Sequence, residues 1–184
     1  MRVIDNIWNY IVFKRKKVVT GKKLVIVGRI YVHGRKTGIE FGDNCVVYST
    51  ESINPTAGGN HTHLVVGSKG QMIIGNNVGM SHVNITAYKS VIIEDNVMLG
   101  SGVKIWDTDF HPIDYKDRVF SKREGECMNI RICEGAFIGA CSIILKGVTI
   151  GKHSVIGAGS IVTSNVPDYQ VWAGNPARFI RKLD

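Results

Sequence analysis

Six histidines are the first residues to weigh for chemistry, and His61, His63, His82, His111 and His153 are the candidates among them. An imidazole titrates near pH 6.5, so at neutral pH it is ready both to take a proton and to ligate a metal. His111 stands in the run Asp107-Thr108-Asp109-Phe110-His111-Pro112, which opens a charge-rich stretch. The acids beside it, Asp107 and Asp109, have two readings. They orient the imidazole or bind an acceptor, or they are solvated loop charge. Taken alone, a histidine in such a loop reads as an ordinary polar residue, so its role depends on where the chain carries it. The four cysteines, Cys45, Cys127, Cys133 and Cys141, form no CxxC pair, and no motif marks one as a nucleophile. Cys133 and Cys141 read as small packed residues, and reduced thiols fit a cytoplasmic site.

The element that must position these groups is announced by a six-residue period. Ile132, Ile138, Ile144, Ile150, Ile156 and Val162 stand six apart, and Ile93, Leu99 and Ile105 keep the same spacing earlier. Four residues after these positions come Val97, Val103, Ala136, Ser142, Val148, Ser154, Ser160 and Val166, all small or β-branched. Gly100, Gly139, Gly151 and Gly157 directly follow a repeat position. A period of six fits neither an amphipathic helix nor a half-buried strand. It is the spacing of a hexapeptide β-helix, in which each hexad builds one flat face of a coil. Three hexads close a triangular turn, so Ile132 is predicted to stack with Ile150, Ile138 with Ile156, and Ile144 with Val162.

With 184 residues, one domain with short appendages is expected. The net charge of +8 favours anionic partners in general. The cations, however, are split between the termini and the loop, without an aromatic-basic platform, so nucleic acid is not the expected partner. No stretch is apolar enough to span a bilayer, and the basic cluster Lys14 to Lys17 follows the apolar N-terminal residues, the reverse of a signal peptide.

Ile4, Ile7, Trp8, Ile11 and Val12 have one-face helical spacing. Residues 1–20 are therefore expected to be a helical cap on the open end of the β-helix. The second reading of this helix is peripheral contact with a membrane surface, and the cap is favoured. Residues 21–172 are expected to form the β-helix. Its early coils are ragged, a polar loop spans Ser52 to His63 with Gly58 and Gly59 in it, and Ile74, Met80 and Thr86 carry the period. The rhythm stops at 107–129, a loop long enough to be functional, and resumes up to Pro167. Residues 173–184 are expected to form a short basic helix, with Asn175 as N-cap and Pro176 as its first residue.

The stretches Gly147-Val148-Thr149-Ile150-Gly151, Ser154 to Ser160 and Ala173-Gly174-Asn175-Pro176-Ala177-Arg178, together with the His-Pro loop, closely resemble the hexapeptide acyltransferases. The likeness is strongest to the branch of galactoside and maltose O-acetyltransferases and the O-acetyltransferases of capsule and lipopolysaccharide synthesis. This resemblance implies an all-β fold, a left-handed parallel β-helix, and a homotrimer with acetyl-CoA in the groove between neighbouring protomers. It implies His111 as the general base for transfer to a sugar or glycan hydroxyl. It places an oxyanion-stabilising backbone N–H at Ala140, beside Gly139. Ala158 matches a pantetheine contact, and Thr163 and Ser164 match positions near the CoA phosphates, where many relatives carry Lys in place of Ser164. Arg178 and Arg181 match C-terminal arginines near the nucleotide. On the acceptor side, Ser81, His82 and Asn84 align with the sugar-contacting stretch of the galactoside enzymes without matching it. Trp106 is a candidate for stacking on a sugar, or an edge aromatic, and Asp109 a candidate for acceptor contact. No metal is expected. Two other functions compete: a carbonic-anhydrase-like zinc protein using three of the histidines, with His63 and His82 about one coil apart, and a non-catalytic β-helix binding module.

Overall fold

The structure, a computed structural model, describes residues 2–34, 38–57, 61–121 and 123–184. Gly58 and Gly59 of the polar loop lie outside the described residues. Short parallel strands wind into a three-sided prism. The first sheet has six strands from Val19–Thr20 to Thr149–Ile150. The second has eight, from Val25–Gly28 to Ala177–Lys182, and the third six, from Ile30–His33 to Ile161–Val162. Each coil visits the sheets in that order, which makes three corners. Corner one joins the first sheet to the second, corner two the second to the third, and corner three returns to the first.

The predicted stack is present residue for residue: Ile132 pairs with Ile150, Ile138 with Ile156 and Ile144 with Val162. All six side chains are fully buried. Each contributes roughly 1.5–3 kcal/mol through burial, and the column forms one continuous core. The small residues four places on turn inward at the corners. Their hydroxyls are consumed there: Ser142 and Ser160 both donate to the Gly157 carbonyl, and Ser154 to that of Pro167. In one coil the period slips. Ile85, one position before the expected Thr86, stacks between Leu64 and Ile105, while Thr86 pairs with Trp106. The slip occurs at the corner holding His82, left-handed in backbone (φ 48°), where Met80 and Ile85 are one residue closer in sequence than the matching pairs of later coils.

The N-terminal cap is a helix, α1 (Arg2–Lys16). It closes the prism with Val12 and Phe13, the latter stacked on Phe41, and with polar groups. The Asn9 side chain donates to the Gly28 carbonyl and accepts from the Ile30 amide, and the Trp8 indole donates to the Ile30 carbonyl. Asp5 pairs with Arg29 at 2.6 Å. The first coil would otherwise leave these backbone groups unpaired.

The other end differs from expectation. Residues 173–184 form no helix. Gln170–Gly174 and Ala177–Lys182 make an antiparallel hairpin that extends the second sheet, turning at Asn175–Pro176. Val171 and Trp172 pair in parallel with Val155 and Ile156, and Ala177 is buried. Backbone partners offered by the last coil outweigh the local helix-start signals of Asn175 and Pro176.

The excursion at 107–129 springs from corner three. It is clasped at its root by a bridge between Thr108 and Cys127 and carries a second helix, α2 (Tyr115–Phe120), capped by Asp114.

Candidate active site

Corner two is built of stacked small residues. A Cβ on Gly100 would lie 2.6 Å from the Ala140 amide nitrogen, and one on Gly139 would lie 2.5 Å from that of Ala158. A Cβ on Gly157 would lie 2.8 Å from the Ala173 side chain. Glycine is therefore required at 100 and 139 for the coils to stack so closely. Among the described residues, neither the Ala140 nor the Ala158 amide finds a hydrogen-bond acceptor. Two backbone donors thus stand open on a wall with no bulky side chain. Such fixed donors suit an oxyanion or an amide-bearing ligand. Arg178 and Arg181 follow on the hairpin, exposed. Each guanidinium reaches only a backbone carbonyl, and among the described residues neither meets a carboxylate. They are free for phosphate.

Below that wall, also at corner two, His61, His63, His82, Asn84, Lys104 and Cys141 line a polar cleft of about 290 Å³. His63, Asn84 and Lys104 are register partners on successive coils of the third sheet, so they form one outward column. His63 stacks on Tyr31 and lies 3.3 Å from the His33 ring nitrogen. Burial lowers the His63 imidazole below its usual range, helped by the positive character of His33 and His61. His82 is buried beside Ser81, with Nδ1 3.4 Å from the Ser101 hydroxyl, and among the described residues its Nε2 has no hydrogen-bond partner. Burial lowers its pKa too. Among the described residues, no group of three His, Cys, Asp or Glu side chains is placed to hold a metal ion. Cys141, expected to be packed, is exposed, because its left-handed backbone (φ 60°) at the corner turns it outward into the cleft. His153 is taken up by a contact with Tyr169 at corner one.

His111 lies elsewhere, on the corner-three excursion, and is exposed. Phe110 before it adopts a left-handed backbone (φ 61°) and wedges against Tyr88 and Trp106. The turn closes tightly on Gly125, where a Cβ would meet the His111 amide at 2.7 Å. Among the described residues, the imidazole itself has no hydrogen-bond partner. Neither acid orients it. Asp107 is fully buried, and its carboxylate accepts from the amides of Tyr88, Lys89 and Ser90. Asp109 meets Lys146 at 3.3 Å, and Lys146 also meets Glu126 at 2.6 Å. That pairing raises the Lys146 pKa and lowers that of Glu126. Trp106 is an edge aromatic of the third sheet, packed on Phe110.

Within one protomer, then, the candidates fall into two groups. Ser81, His82, Asn84, Gly139, Ala140 and Ala158 share corner two. His111, Asp109, Trp106, Thr163 and Ser164 belong to corner three, across the third sheet. Lys146, Phe110 and Gly125, which hold the His111 turn, carried no sequence signal, since each acts through a contact distant in the chain.

The family signature described as bacterial transferase hexapeptide (six repeats) matches residues 129–164. A galactoside O-acetyltransferase of Lactococcus lactis is 35% identical over 152 residues, which is 82% of this chain and 66% of that protein. The chain spans about half the length of the curated relatives it matches. Among solved structures, a galactoside acetyltransferase in complex with coenzyme A superposes with a TM-score of 0.60 at 28% identity, over 90% of this chain and 65% of that one. A point mutant of AntD, an N-acyltransferase from Bacillus cereus in complex with dTDP-4-amino-4,6-dideoxyglucose and coenzyme A, superposes with a TM-score of 0.72 at 18% identity, over 94% and 88%. At that identity it speaks for the fold alone.

Proposed function

Because the chain belongs to the hexapeptide-repeat acetyltransferase family, whose fold is a left-handed β-helix, we propose that it transfers an acetyl group from acetyl-CoA to a hydroxyl of a sugar or glycan precursor. The reading rests on one observation above the rest. The open amides and the polar cleft sit on corner two, while the exposed imidazole sits on corner three. A prism of this kind completes its site only when corner three of one protomer meets corner two of the next. A cyclic trimer with three equivalent clefts satisfies that requirement.

In each cleft, His111 of one protomer takes the proton of the acceptor hydroxyl. The freed oxygen attacks the thioester carbonyl held against the neighbour's wall. The Ala140 N–H supports the negative charge on the carbonyl oxygen of the tetrahedral intermediate. His111 then returns the proton to the sulfur as the C–S bond breaks, so no acyl-enzyme forms. The Ala158 amide holds the pantetheine arm, and Thr163, Ser164, Arg178 and Arg181 serve the phosphates. Ser81, His82 and Asn84 shape the acceptor side, with Asp109 and Trp106 at the loop's edge. The low pKa values of His63 and His82 keep both rings uncharged at neutral pH, suited to hydrogen bonding a neutral polyol.

Replacing His111 with Ala tests this directly. Coenzyme A binding is expected to persist, while transfer from acetyl-CoA to a panel of sugars falls by about 10²–10⁴. Full transfer in the His111→Ala protein would move the base elsewhere.

A further inference from the structure

The helix α1 lays Asp5, Asn9, Val12 and Phe13 against the prism and leaves a second apolar stripe turned to solvent. Asp5 and Asn9, one turn apart, are buried against the first coil. Ile4, Ile7 and Ile11, on the opposite face, are 61, 55 and 46% exposed, with Val3 beside them at 71%. The capping task is complete without these side chains, so the fold does not account for them. Cations rim the same face at its C-terminal end. Lys14 and Arg15 are exposed there, followed by exposed Lys17, Lys22 and Lys23 on the adjoining turn. The one acid of the helix, Asp5, is turned inward and neutralised by Arg29. An open groove of about 800 Å³ runs along the helix flank, where Tyr10, Phe13 and Leu24 lie beside Lys14 and Lys23.

From these features we propose that α1 docks the protein onto an anionic lipid surface. The isoleucine stripe enters the boundary between headgroups and acyl chains, and the cations meet the lipid phosphates. An apolar stripe with a basic rim is the pattern an interfacial helix needs. A protein partner for the same face would need acids opposite Lys14 and Arg15, and a second copy of this chain would bring like charges together. No helix among the described residues is long and apolar enough to cross a membrane, so the contact is peripheral. The inference does not depend on the transfer reaction.

The test is co-sedimentation of the full chain with phosphatidylcholine vesicles, with and without phosphatidylglycerol, at low and high salt. Binding is expected only with the anionic lipid, and is expected to weaken as salt screens the charges. Lys14→Ala with Arg15→Ala should weaken it about fivefold per cation. Ile7→Asp with Ile11→Asp should weaken it at least about tenfold, with an unchanged melting temperature, since neither side chain packs on the prism. Ile7→Ser with Ile11→Ser is the milder check should the aspartates disturb folding. Equal binding to neutral vesicles, or no loss in either isoleucine variant, overturns the proposal. So does a smaller oligomer in those variants with vesicle binding unchanged, which would assign the face to a second copy. Transfer to a soluble sugar should be the same in all variants, which separates this outcome from failure of the active-site reading.

Discussion

His82 shows how burial sets chemistry at a single residue. Its ring lies within the wall of the corner-two cleft, and desolvation depresses its pKa, as it does that of His63. The folded protein therefore holds both rings neutral at a pH where the unfolded chain already binds protons. Stability from this source is complete above about pH 6.5, the unfolded value, and is lost as pH falls from there through the lower folded values. The melting temperature is expected to fall on acidification in that window. His82→Asn, which tolerates the left-handed backbone, should flatten the slope. An identical slope in the variant would show that the ring does not titrate as described. That His82 lines a cleft was legible only through the family resemblance. Its burial was not, because it depends on how neighbouring coils pack around that corner.

At the level of elements, the prism was read from the isoleucine spacing, since a β-helix repeats one local geometry and each hexad declares its own inward residue. The stacked pairs from Ile132 to Val162 follow from that spacing alone. The C-terminal segment reads as a helix in sequence because Asn175 and Pro176 are local signals, whereas the pairing of Val171 with Val155 is a tertiary one. The excursion shows the same division. Its boundaries were visible as a break in the period, but what anchors it was not. Asp107, which the sequence offers as an orienting acid or as solvated loop charge, is instead the internal tie of corner three, satisfying three amides of the preceding coil. Asp107→Ala would strand those donors, and an unsatisfied buried donor costs about 1–3 kcal/mol. The expected destabilisation in urea is about 3 kcal/mol or more. A loss below about 1 kcal/mol would mean that water or another acceptor replaces the carboxylate.

For the whole molecule, the central claim is that one prism is catalytically incomplete. His111 is exposed at corner three, and the open amides of Ala140 and Ala158 lie at corner two, so the proposed reaction calls for two copies in contact. The most direct measurement is complementation in mixed trimers. His111→Ala removes the base but leaves the wall intact. Ala158→Trp fills the groove at an exposed position but leaves the loop intact. Each protein alone should lack transfer activity. Co-expressed in equal amounts and randomly mixed, about one cleft in four receives an intact loop from one parent and an intact wall from the other. The account predicts that the mixture recovers roughly a quarter of the unmodified activity. Mixed trimers, verified by mass, that stay as inactive as their parents would contradict it.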